Sequence, residues 1–107
     1  MNAGLFDLTG KNALVTGGAQ GLGRMIAEGL LRAGATVAIT SRKADICEAA
    51  ASEMAALGKC IALPADLTTP EAAVDLAQRY REMVGTALHV LVNNAGKTWG
   101  GTVDTFP

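Results

Sequence analysis

The run Thr16-Gly17-Gly18-Ala19-Gln20-Gly21-Leu22-Gly23 is the part of this chain best suited to chemistry on a phosphate. It follows the apolar, strand-like Asn12-Ala13-Leu14-Val15-Thr16 and opens a helical pattern from Arg24 through Ala33. Strand, glycine loop and helix in that order present bare backbone N–H groups, and the positive end of a helix dipole, to an anion. Gly17 permits a tight turn out of the strand. Gly21 removes a side chain that would block a pyrophosphate, and Gly23 allows close helix–strand packing. A glycine-rich turn standing alone can be purely structural, so the other strand ends matter.

Four apolar or β-branched runs read as buried strands: Asn12–Thr16, Thr36–Thr40, Cys60–Ala65 and His89–Asn93. Three helical patterns lie between them. The first places Ile26, Leu30 and Ala33 on one face and stops at Gly34; the second repeats Ile46, Ala50, Met54 and Leu57 and stops at Gly58. The third starts near Thr68-Thr69-Pro70-Glu71, with either Thr69 as cap and Pro70 at the first helical position, or a Thr68–Glu71 capping box. Its expected inner face is Ala73, Ala77, Tyr80 and Val84. Short connections and strict alternation predict an α/β fold, a doubly wound parallel sheet of the Rossmann type with about four strands and three helices. A single dinucleotide-binding domain over residues 1–107, incomplete at its C-terminus, is the expectation.

In such a fold an acidic residue about 20 positions past the glycine loop holds a ribose 2′-hydroxyl, and an Arg accommodates a 2′-phosphate. Ser41 stands at the acidic position here, with Arg42 and Lys43 beside it. Arg42 offers a planar fork matched to phosphate. Losing the carboxylate removes the group that would repel a 2′-phosphate, so NADP is expected rather than NAD. Asp66, after the third strand, would by itself read as a turn or capping residue. Asn93-Asn94-Ala95-Gly96 would read as a turn, but it falls at the C-terminal end of a strand, where open parallel sheets bind ligands.

Taken together, these segments resemble the short-chain dehydrogenase/reductase family in type, order and spacing. The loop fits T-G-x-x-x-G-x-G, the fourth strand ends in N-N-A-G, and the likeness runs from Leu5 to Trp99. Within the family the texture is most similar to bacterial 3-oxoacyl-acyl-carrier-protein reductases, including the rhamnolipid-biosynthesis type, and to gluconate 5-dehydrogenase-like members. The resemblance implies cofactor contacts from Gly17, Gln20, Gly21, Leu22, Gly23, Ser41, Arg42, Asp66, Leu67, Asn93, Asn94, Ala95 and Gly96. Asp66 would meet the adenine amino group with Leu67 packed on the base, and the small residues at 93–96 would admit the ribose. It also implies an NADP(H)-dependent oxidoreductase that reduces a carbonyl, of 3-oxoacyl type, to an alcohol, acting on a small-molecule or acyl-thioester substrate as a homo-oligomer.

Family members carry their chemistry downstream of N-N-A-G: an Asn on a long helix, a Ser on the fifth strand and Y-x-x-x-K. The single tyrosine here, Tyr80, has Val84 at the fourth position and lies on a helix needed for packing, so no catalytic residue is assigned. His89 reads as structural, and Lys97, Thr98 and Trp99 could border a nicotinamide or substrate without being catalytic. The expected explanation is the N-terminal part of a longer reductase, inactive by itself; the alternative is a non-catalytic NADP-binding module. Bulk properties agree with a globular protein: half the residues are apolar, 18% are charged, and the net charge is −1. Interspersed charges suggest no nucleic-acid face. No signal-like or 18-residue apolar stretch appears in the sequence, so a cytoplasmic location without membrane contact is expected. Cys47 and Cys60 read as small buried or half-buried thiols, and no metal site is expected.

Overall fold

The computed structural model describes residues 7–94, and its elements run β1 (Asn12–Thr16), α1 (Gly21–Arg32), β2 (Thr36–Thr40), α2 (Ala44–Met54), β3 (Cys60–Ala62), α3 (Pro70–Met83) and β4 (Val90–Asn93). The strands form one parallel sheet in the order β3-β2-β1-β4. Register is set from Asn12 opposite Thr36 through Thr16 opposite Thr40, and from Ala13 opposite Val90 through Thr16 opposite Asn93. This is the Rossmann-type α/β arrangement. Two steps outward from β1 to β3 put α1 and α2 on one face. The long return to β4 puts α3 on the other, as right-handed crossovers require.

Alternation along the strands divides the core in two. Ala13, Val15, Val37 and Ile39 meet Ala27 and Leu31 of α1 and Cys47, Ala50, Ala51 and Met54 of α2. Leu14, Ala38 and Leu63 point the other way and meet Leu76 and Tyr80 of α3. The buried residues of α1 are Gly23, Ala27 and Leu31. The face expected from Ile26, Leu30 and Ala33 is therefore off by one position, and those three are only half-buried. Small residues, rather than large ones, are what let α1 lie close on the sheet.

On α3 the inner residues are Leu76 and Tyr80, whereas Ala73 and Ala77 are exposed. They look into an open groove beside Leu14, Leu91 and Leu88 on the β1–β4 half of the sheet. The start of α3 settles the capping alternatives: Thr69 is the N-cap, its hydroxyl accepts from the Ala72 N–H at 3.1 Å, and Pro70 follows at the first helical position. β3 ends at Ala62 rather than at the expected Ala65, although Leu63 N–H and Ala65 N–H still reach the carbonyls of Ile39 and Ser41, at 2.9 and 3.0 Å. Pro64, which has no N–H, lies between them.

The corrected face of α3 has a direct test. Leu76→Ala should lower stability by about 2–5 kcal/mol through cavity formation. Ala77→Ser, one residue on, should stay within about 0.5 kcal/mol. Urea midpoints of the two variants separate the faces, and equal shifts would contradict this packing.

Candidate functional site at the C-terminal edge of the sheet

All four strands run parallel, so their C-terminal ends share one edge. The order reverses between β1 and β4, and open sheets bind ligands in the crevice at such a switch point. The glycine loop leaves β1 there and Asn93-Asn94 close β4 beside it. Thr16 ties the two. Its hydroxyl oxygen accepts from the Asn94 N–H at 2.9 Å and directs its proton at Asn93 Oδ1 at 3.1 Å, with the Val92 carbonyl at 3.4 Å. Asn94 Nδ2 in turn approaches the Gly17 carbonyl at 3.5 Å.

The loop's glycines do different work. Gly17 and Gly21 adopt φ of 65° and 57°, the left-handed region that side chains other than glycine rarely enter. A Cβ on Gly23 would lie 2.1 Å from the Gly17 carbonyl oxygen and 2.7 Å from Asn94 Nδ2, so only hydrogen fits where α1 crosses the end of β1. A Cβ on Gly21 would meet nothing within 4 Å among the described residues, which leave open space before the helix end. Gly18 has a role that the loop spacing does not announce. It packs on β2, where a Cβ would come within 2.7 Å of Ile39 Cγ2, and its N–H donates to the Thr40 carbonyl at 3.1 Å. The doubled glycine at 17–18 was the available signal.

No side chain among the described residues caps the N-terminus of α1, and its first turn carries no acidic residue. Its leading N–H groups therefore point into the open space without an intrahelical partner. Gln20, the N-cap residue, is exposed, and Leu22 is 62% exposed despite being apolar. Arg24 turns away from this opening: it pairs with Glu53 of α2 at 2.8 Å and with Glu28 at 3.3 Å. These two carboxylates, Glu53 foremost, raise its pKa further and keep it charged.

At the end of β2, Ser41 is half-buried, and Arg42 and Lys43 are exposed. The Ser41 carbonyl holds the Ala65 N–H, which brings the segment bearing exposed Asp66 and half-buried Leu67 to the same edge. Gly17, Gln20, Gly21, Leu22, Gly23, Ser41, Arg42, Asp66, Leu67, Asn93 and Asn94 thus gather at the ends of the four strands. Ala95 and Gly96, with Lys97, Thr98 and Trp99, lie outside the described residues.

Two groups considered for acid–base work are occupied in the fold. Tyr80 is buried, its hydroxyl donates to the Ala87 carbonyl at 2.7 Å, and burial pushes its pKa up. His89 Nδ1 accepts from the Asn12 N–H at 2.9 Å, at the opposite end of β1 from the loop. Burial likewise pushes the Cys60 thiol up to about 11 and raises that of Cys47, so neither is a ready thiolate. No cluster of metal-ligating side chains occurs among the described residues, and no helix among them is long and apolar enough to cross a membrane.

The family profile described as short chain dehydrogenase matches residues 11–107. The chain belongs to the short-chain dehydrogenase family. It is 48% identical over 102 residues to the rhamnolipids biosynthesis 3-oxoacyl-[acyl-carrier-protein] reductase of Pseudomonas aeruginosa, covering 95% of this chain and 40% of that protein. Gluconate 5-dehydrogenase of Gluconobacter oxydans is 38% identical over 93 residues, 86% of this chain and 36% of that enzyme. Among solved structures, the Pseudomonas aeruginosa RhlG/NADP active-site complex superposes with a TM-score of 0.80 at 46% identity, over 88% of this chain and 39% of that one. The chain therefore spans about two fifths of the length of the first of these relatives.

Two glycines of α1 should answer substitution with opposite signs. Gly23→Ala should destabilise by about 1–3 kcal/mol through overpacking, although alanine is the better helix former. Gly29→Ala, where nothing lies within 4 Å of the added carbon, should stabilise by about 1 kcal/mol. Thermal unfolding of the pair reads both signs, and a neutral Gly23→Ala would refute the close approach.

Proposed function

We propose that this chain binds NADP(H) at the edge just described, as the cofactor-holding part of an oxidoreductase that interconverts a carbonyl, of 3-oxoacyl type, and an alcohol. The observation that carries the reading is at the end of β2. Gly18 of the loop is bonded to the Thr40 carbonyl, so Ser41 and Arg42 follow directly beside the glycine cradle, with no carboxylate at the 41 position. The open space at Gly21 and the uncapped start of α1 fit a pyrophosphate. Arg42 would take the 2′-phosphate, Asp66 and Leu67 the adenine, and Asn93, Asn94, Ala95 and Gly96 the inner ribose.

Bound there, NADP(H) would supply or accept the hydride of the reaction. This chain's residues bind and orient: backbone amides hold phosphate, Arg42 sorts one adenosine half from the other, and the Thr16–Asn94 tie holds the β4 end in place beside the loop. No catalytic acid or base is assigned within the chain. The likeness to a 3-oxoacyl-acyl-carrier-protein reductase supports an acyl-thioester ketone as substrate class, and that to gluconate 5-dehydrogenase keeps a sugar-acid ketone as the second reading.

Titrating NADPH and NADH by calorimetry into wild type and Arg42→Ala tests the cofactor assignment. A charge-assisted hydrogen bond is worth about 1.5–3 kcal/mol, so NADPH affinity should fall roughly 10- to 150-fold with NADH nearly unchanged. Equal losses for both would remove the 2′-phosphate role. Gly21→Val fills the cradle, so its melting temperature should no longer rise with NADPH; a normal rise would mean that the loop is structural only.

A further inference from the structure

The segment after β3 carries Asp66 and Leu67, yet β3 is the outer strand of the sheet and pairs on one side only. On its inner side Leu63 and Ala65 donate to β2 and its continuation at Ser41. On its outer side no strand among the described residues offers a partner, and Pro64 lacks an N–H altogether. The Pro64 carbonyl is nevertheless bonded: Arg79 of α3 donates to it from Nη2 at 2.5 Å. Arg79 is itself held by Asp75, one helical turn earlier, through Nε at 2.9 Å. The guanidinium thus has one fork arm aligned by a carboxylate and another closing the exposed edge, two residues before Asp66.

We propose that Arg79 is a positioning residue for the adenosine end of the dinucleotide site, an inference that rests on the cofactor reading above. Leu63 is anchored in the core against Leu76 and Tyr80, and Thr69 is anchored as the cap of α3. Between these fixed points the backbone at 64–68 is held from the β2 side by the Ala65–Ser41 bond and from the α3 side by Arg79. Without Arg79 the stretch bearing Asp66 and Leu67 must be ordered when ligand arrives, which weakens binding by the entropy of one or two residues.

The test uses Arg79→Met, which keeps the aliphatic stem, and Arg79→Lys, which keeps the charge. Probes are NADPH, adenosine 2′,5′-bisphosphate and nicotinamide mononucleotide, with amide exchange of Ala65–Leu67 measured without ligand. Arg79→Met should weaken NADPH and the adenosine bisphosphate alike, by roughly five- to thirtyfold. Nicotinamide mononucleotide should be unchanged, the three amides should exchange faster, and Arg79→Lys should recover part of the loss. Equal weakening of both half-ligands would mark a general structural defect and overturn the inference. So would unchanged affinity, or unchanged exchange whatever the chain binds. A wild-type chain that binds none of the probes would instead remove the cofactor reading, while the exchange data would still show whether Arg79 orders the segment.

Discussion

The closeness of α1 to the end of β1 is the constraint on which the rest of this molecule depends. The two backbones approach until a single hydrogen on Gly23 is all that separates α1 from the Gly17 carbonyl. At that distance Ala27 and Leu31 reach Ala13, Val15 and Ile39, closing one face of the sheet. The same approach aims the leading N–H groups of the helix over the strand ends. Packing and binding geometry are therefore one arrangement, and a helix held off by a methyl group would lose both.

Charge is distributed so as to leave that opening to the backbone. Arg24, on the first turn of α1, is drawn to Glu53 and Glu28 and pins α1 to α2. α2 and α3 carry acidic residues, Asp45 and Glu71, in their own first turns, and of the helices among the described residues only α1 begins without one. An anion at the start of α1 itself would meet amide dipoles rather than the Arg24 side chain, and such dipoles need little reorganisation on binding.

Much of this was legible in the sequence because local chemistry and tertiary role coincide. β1 and β2 end where their apolar runs end, and the glycine spacing marks the loop. Thr69-Pro70 marks the start of α3. The helix faces are less legible. Spacing alone points Ile26, Leu30 and Ala33 of α1 inward, whereas close packing on a parallel sheet selects Gly23, Ala27 and Leu31. On α3 it points Ala73 and Ala77 inward, whereas Leu76 and Tyr80 are buried and the groove beside the two alanines leaves that side open. The end of β3 is not legible because Pro64 interrupts a ladder that its neighbours continue. Arg79 gave no signal at all: a basic residue four positions after an acidic one reads as an ordinary surface pair, and its bond to Pro64 depends on the way the chain returns.

The end of β2 separates two kinds of sequence position. From Val37 to Thr40 every residue is buried, and Gly18 is wedged against Ile39, so drift there disturbs the core. Immediately beyond, Arg42 and Lys43 stand in solvent with no tertiary bond to break among the described residues. On the cofactor reading proposed above, Arg42 and Lys43 are thus side chains at the adenosine end that folding does not hold. If that reading holds, a lineage built on this scaffold could change its taste in ligand by substitution at Arg42 and Lys43, while the cradle beneath stays frozen by packing.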